Sequence, residues 1–117
     1  MDDFNLITTK IIPRFLESTR HNYVVLGGKA YQYYFKDIKS DDWDIVLDYD
    51  PEKFLKELQT ELNKENIFDL DFSVAEDING DKICQMGLKS YRGPDYEERF
   101  FIDIKKGSVQ KYQPIKI

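Results

Sequence analysis

Apolar residues recur at helical spacing near the amino end. Phe4, Ile7, Ile11 and Phe15 fall on one stripe of a helix predicted over residues 2–19. Pro13 lies inside that pattern, where its ring and missing N–H should kink the helix or divide it. The period then changes. Tyr23-Val24-Val25-Leu26 predicts a short strand ending at Gly27-Gly28, and residues 29–36 suit a short helix. Residues 43–49 read as a second strand. Asp50-Pro51 follows as a helix start, with Asp at the cap and Pro at the first position. That helix should run to about Glu65 and bury Phe54, Leu55, Leu58 and Leu62. Phe72 to Ile78 and Lys82 to Tyr91 read as strands joined through the turn signal Asn79-Gly80. Arg92-Gly93-Pro94-Asp95 is a loop, Arg99 to Lys106 a last strand, and the tail from Gly107 is unassigned. The order helix, strand, helix, strand, helix, hairpin, strand predicts an α+β fold, a mixed sheet with helices packed on one side.

Composition narrows the picture. At 117 residues, 41% apolar and 15% aromatic, the chain is expected to form one domain, residues 1–117, around one modest core. A net charge of −5 excludes nucleic-acid binding through a broadly basic surface. Any such contact needs a local patch, metal ions or a partner. With one cysteine, Cys84, and one histidine, His21, neither an internal disulfide nor a Cys/His metal site is available. No basic leader with an apolar run is visible, nor an apolar stretch near the ~20 residues that span a bilayer. No membrane association and a reducing, cytoplasmic location are expected.

The candidate chemistry lies in the acidic residues. Strand side chains alternate, so Asp42 and Asp44 share a face, opposite Trp43, Ile45, Leu47 and Tyr49. In the last strand Phe100, Ile102 and Ile104 should share one face and Asp103 take the other. The simplest reading is three carboxylates converging over one sheet surface. Their mutual repulsion would be relieved by a divalent cation, and Mg²⁺ prefers oxygen ligands. The Asp-x-Asp pattern alone carries little. Fourteen Asp residues should produce about two such pairs by chance, and the chain has three. Asp48/Asp50 is explained by a strand end and a helix cap, and Asp69/Asp71 lacks an upstream glycine turn. Only Asp42/Asp44 follows a strand–Gly-Gly–helix unit. Asp41 leaves the pair open to a shift of one residue, although the period of two favours Asp42 with Asp44.

Gly27-Gly28 is either an ordinary tight turn or a bare backbone that phosphate oxygens can approach, at the start of a helix whose N–H groups would face them. Lys29 is either a solvated helix residue or a positive charge for a triphosphate.

The run Leu26-Gly27-Gly28-Lys29-Ala30 followed by Ser40-Asp41-Asp42-Trp43-Asp44-Ile45 resembles the nucleotidyltransferase superfamily signature, and Phe101-Ile102-Asp103-Ile104 resembles its third element. The Gly-Gly-Lys-Ala-Tyr start and the Asp-Trp-Asp-Ile strand look most like the catalytic domains of poly(A) polymerases of large DNA viruses. The resemblance covers residues 23–49 and, more thinly, 99–106. It implies a nucleotidyltransferase-like mixed sheet. Asp42 and Asp44 would hold two Mg²⁺ (or Mn²⁺) ions, and Asp103 the ion that activates the acceptor hydroxyl. Gly27, Gly28 and Lys29 would hold the triphosphate. The implied reaction is transfer of a nucleoside monophosphate from an NTP, with ATP expected, to a hydroxyl such as an RNA 3′ end, as in mRNA polyadenylation. Gly28 stands where many members carry Ser, which removes a side-chain phosphate contact. Polymerases of this family carry further domains, so a catalytic core, a member working with a protein partner, and a non-catalytic regulatory or antitoxin-like module all stay open.

Other features are weaker. Asp77, Asn79 and Asp81 loosely resemble a calcium loop, but the glycine spacing suits a hairpin turn. Tyr31, Tyr33, Tyr34 and Phe35 would pack a short helix or stack on a base. Lys105, Lys106, Lys111 and Lys116 make the carboxyl end basic and would steer a phosphate backbone or simply be solvated.

Overall fold

The computed structural model describes residues 2–27, 29, 42–92 and 98–109. Asp2 opens the first helix by accepting the Asn5 N–H at 2.7 Å. α1 (Asp3–Leu6) runs through a π-helical turn (Ile7–Ile11) into α2 (Ile12–Ser18). Pro13 lies at the start of α2. In a regular helix it would leave the Thr9 carbonyl without a donor and press its ring on that carbonyl. The helix accommodates it by widening one turn earlier, with the Ile12 N–H reaching back five residues to the Ile7 carbonyl. The predicted break is thus a local change of helical pitch. The apolar stripe stays intact across it, and Phe4, Ile7, Ile11, Ile12 and Phe15 are all buried.

Five strands form one mixed sheet. They are β1 (Tyr23–Leu26), β2 (Trp43–Leu47), β3 (Leu70–Glu76), β4 (Lys82–Arg92) and β5 (Glu98–Lys106), in spatial order β1-β2-β5-β4-β3. β2 and β5 run parallel, and every other neighbouring pair is antiparallel. α3 (Pro51–Lys64) bridges β2 and β3 in sequence. Asp50 caps it, accepting the Glu52 N–H at 2.9 Å and the Lys53 N–H at 3.4 Å. Its stripe of Phe54, Leu55, Leu58 and Leu62 is buried as the spacing predicts. Each such side chain contributes roughly 1.5–3 kcal/mol on burial. The stripes of the helices meet Ile45, Leu47, Cys84, Met86, Leu88, Ile102 and Ile104 in one core.

Three expectations change. The last strand does not alternate regularly. Gly87 pairs with Phe100 while Met86 pairs with Ile102, so β5 carries an extra residue at Phe101. Phe101, rather than Phe100, is fully buried, edge-on to Phe4 with ring centroids 6.4 Å apart. Beyond the bulge Ile102 and Ile104 line the core as predicted.

The hairpin is not a two-residue Asn-Gly turn. Both central residues of that turn need positive φ, and here Gly80 alone has it, at +78°. The loop spans Asp77–Asp81, with the Asp77 carboxylate accepting the N–H groups of Asn79 and Asp81, both at 2.9 Å.

β3 begins at Leu70 rather than Phe72. Leu70 is buried opposite Leu88, and Asp69 accepts the backbone N–H groups of Lys89 and Ser90. Of the loop expected at 92–95, Arg92 belongs to β4 instead, and residues 93–95, the predicted helix at 29–36 apart from Lys29, and the tail beyond 109 lie outside the described residues.

Candidate functional site

β2 and β5 place Asp44 and Asp103 side by side as register partners in the parallel pair. Ile45 and Ile104, the next residues on the two strands, are register partners buried in the core. Alternation therefore turns the two aspartates to the sheet face away from the core. The row continues on both sides. Leu26 pairs with Asp44, Gln85 with Asp103, and Ser73 with Gln85, so one line crosses all five strands. Gln85 donates its side-chain N–H to Asp103 Oδ1 at 2.8 Å.

Asp103 is partly buried, and burial is the largest influence raising its carboxyl above the usual carboxylate range. The Gln85 hydrogen bond opposes that rise. The Asp44 charge, and a hydrogen bond between the two carboxyls, add to it. Two acidic groups thus face each other where their joint ionisation is disfavoured, an arrangement that a cation would relieve.

The β1 end of the row carries the glycine turn. Gly27 has φ +67°, and a Cβ added there would lie 2.8 Å from Asp44 Oδ2. Only a bare backbone allows this approach, so the turn lies directly against one of the paired carboxylates. Gly28 lies outside the described residues. Lys29 holds its ammonium 5.3 Å from the centre of the Trp43 ring. The Trp43 indole N–H donates to the Thr8 carbonyl at 3.0 Å. That carbonyl is available because the Ile12 N–H has moved to Ile7 and Pro13 has no N–H to offer. The π-helical turn is thereby tied to the residue between Asp42 and Asp44.

Asp42 precedes β2 and is exposed. Among the described residues no group of three or more His, Cys, Asp or Glu side chains is gathered to hold a metal ion. The three carboxylates therefore do not form a ready-made cage. The structure joins Asp44 with Asp103, and Asp42 does not complete a set with them. Mg²⁺ is held typically by one or two carboxylates with substrate phosphates supplying the rest, so an all-oxygen pair beside a glycine turn fits that ion.

Several of the remaining candidates have structural roles. Lys105 bonds Asp77 Oδ2 at 2.6 Å and lies 3.4 Å from Asp81, which ties it to the hairpin. Lys106 is exposed, and Lys111 and Lys116 lie outside the described residues. His21 stacks on Tyr49, with ring centroids 3.7 Å apart, and sits 3.3 Å from Glu57. Cys84 is buried in β4, and burial raises its thiol above the ordinary range. The Tyr31–Phe35 cluster and Asp41 lie outside the described residues. Gln85 escapes a reading of the sequence, because nothing at residue 85 marks it until the β4–β5 register sets it opposite Asp103.

No protein-family model matches the chain, and no curated protein is detectably similar to it. Among solved structures it is similar to an antigenic nucleotidyltransferase-like protein from Paracoccidioides brasiliensis, at 20% identity and a TM-score of 0.43. The match covers 94% of this chain and 48% of that one, so the chain spans about half the length of that protein. So loose a likeness carries nothing about the chemistry of this chain.

Proposed function

We propose that the chain acts as a metal-dependent nucleotidyltransferase domain, moving a nucleoside monophosphate from ATP to a hydroxyl acceptor with release of pyrophosphate. The observation that carries this reading is the pairing of Asp44 with Asp103 on adjacent parallel strands, with the Gly27 turn against Asp44 Oδ2. Asp44 and Asp103 would hold Mg²⁺ or Mn²⁺, with Asp42 close by in sequence to add a ligand. A bound ion would supply positive charge to the transferring phosphoryl group. The Gly27-Gly28 backbone and Lys29 would receive the triphosphate. Asp103 would accept, or help to accept, the proton of the attacking hydroxyl. The protein's share of the work is positioning and charge neutralisation, as in other phosphoryl transfers. An RNA 3′ end is the favoured acceptor and ATP the favoured donor, both on the sequence resemblance to viral poly(A) polymerases.

One observation favours a second reading, in which the fold binds a partner without catalysis: Asp42 does not join the other two carboxylates. A single experiment separates the two. The protein is incubated with each α-labelled NTP, Mg²⁺ or Mn²⁺ and an RNA primer, beside Asp44→Asn and Asp103→Asn. Label on the primer with ATP is expected, falling on the order of 10²–10³-fold in either variant. Label on the protein itself would keep the activity and replace the acceptor. No label with any nucleotide, from folded protein, would leave a binding module or an incomplete catalytic core.

A further inference from the structure

We propose that Gln85 is the positioning residue for Asp103, its side-chain amide anchoring one carboxylate oxygen and leaving the other for a bound ion. The inference rests on the reading of Asp44 and Asp103 as an ion-holding pair and extends it to a residue outside the signature. The geometry is specific. Gln85 is the register partner of Asp103 across the antiparallel β4–β5 pair, and its Nε2 lies 2.8 Å from Asp103 Oδ1. An ionised carboxylate only accepts hydrogen bonds, so this amide orientation favours the charged form.

The surroundings show why an anchor is needed. Asp103 is partly buried and faces the like charge of Asp44. Without a partner on its far side, its side chain would be free to turn away from Asp44. Gln85 supplies a donor without a charge of its own, so the aspartate is held aimed and the amide adds no positive charge to compete with a cation. A lysine or arginine at residue 85 would neutralise that charge and compete with the ion. Partners that orient metal-binding carboxylates typically cost 10–100-fold in affinity when removed.

The test is a double-mutant cycle read on metal binding. Wild type, Gln85→Met, Asp103→Ala and the double variant are titrated with Mn²⁺ in the presence of ATP. Protein-bound ion is followed by the loss of the free-Mn²⁺ electron paramagnetic resonance signal beyond that caused by the same ATP without protein, and folding by thermal unfolding. Gln85→Met keeps the length and volume of the side chain and removes the donor. The expected result is binding at least about tenfold weaker in Gln85→Met, with no further loss when the same change is made in Asp103→Ala. If transfer activity is present, kcat should fall with KM for ATP nearly unchanged. Binding by Gln85→Met equal to wild type would overturn the inference and leave the site reading intact. Equal losses in both backgrounds would also overturn it, because Gln85 would then act through the sheet and not through Asp103. Failure of the wild type itself to hold Mn²⁺ would remove the ion-holding pair and this inference together.

Discussion

Asp103 lies half-buried beside a second carboxylate, and both circumstances favour its protonated form over the ionised one. Its folded pKa therefore stands above the unfolded value of about 3.9. A group raised in this way contributes its full stability below the unfolded pKa and loses it as pH rises through the folded pKa. At neutral pH the wild type thus carries an unfavourable charge pair that Asp103→Asn would remove, while the amide oxygen can still accept from Gln85. The variant should be more stable than wild type in urea denaturation at pH 7 without divalent ions. Its advantage should disappear below about pH 4. The Asp77–Lys105 pair has the opposite sign, since Lys105 lowers the Asp77 carboxyl and that stability is lost on acidification. It is common to both proteins and cancels in the difference. Mn²⁺ with ATP should stabilise the wild type and not the variant. A wild type more stable than Asp103→Asn at pH 7 in EDTA would contradict this account of the pair.

The helices and strands show which interactions a sequence pattern carries and which it does not. The α3 stripe, its Asp50 cap and the Trp43-Ile45-Leu47 face were legible because helix and strand periods depend on neighbours in the chain. The bulge at Phe101 was not, because it arises from how β5 registers on β4, a relation between strands far apart in sequence. Pro13 announced a disturbance, but its form depended on where the freed carbonyl could find a donor. That donor is the Trp43 indole, 35 residues away at Thr8. Trp43→Phe keeps most of the ring and leaves the Thr8 carbonyl without this partner in a buried helix turn. A loss of about 1–3 kcal/mol is expected, measured by far-UV circular dichroism in urea because Trp43 is the single tryptophan. The same variant should weaken ATP binding, since the ring also carries Lys29 on its face. Unchanged stability would mean that water replaces the indole and that the π-helical turn does not hold β2 in place.

Over the molecule as a whole, the candidate site lies in the middle of the sheet and the exposed apolar residues at one side of it. The site was legible in part. Asp44, Asp103 and the Gly27 turn meet as the alternation and the glycine signal suggested, whereas Gln85 depends on register. β3 is the last strand in the sheet order, and it carries Phe72 at 43% and Val74 at 55% exposure, with Ile78 fully exposed in the adjoining hairpin. An edge strand with an apolar face is a template for pairing with another chain. Opposing this are the net charge of −5 and the acidic residues Asp71 and Glu76 on the same strand, with Asp69 just before it. The balance depends on range. Pairing brings strands within about 5 Å, inside the Debye length of about 8 Å at physiological salt, so repulsion acts at contact there and is strongly screened at about 1 M, where that length is about 3 Å. Sedimentation velocity should therefore show little association at physiological ionic strength and clear, concentration-dependent association at high salt. Val74→Lys places a charge in the exposed apolar patch and should abolish the high-salt species with little change in the unfolding midpoint. Association unaffected by Val74→Lys would move the contact away from β3. A wild type monomeric at every salt concentration would mean that charge repulsion is not what keeps the β3 edge unpaired.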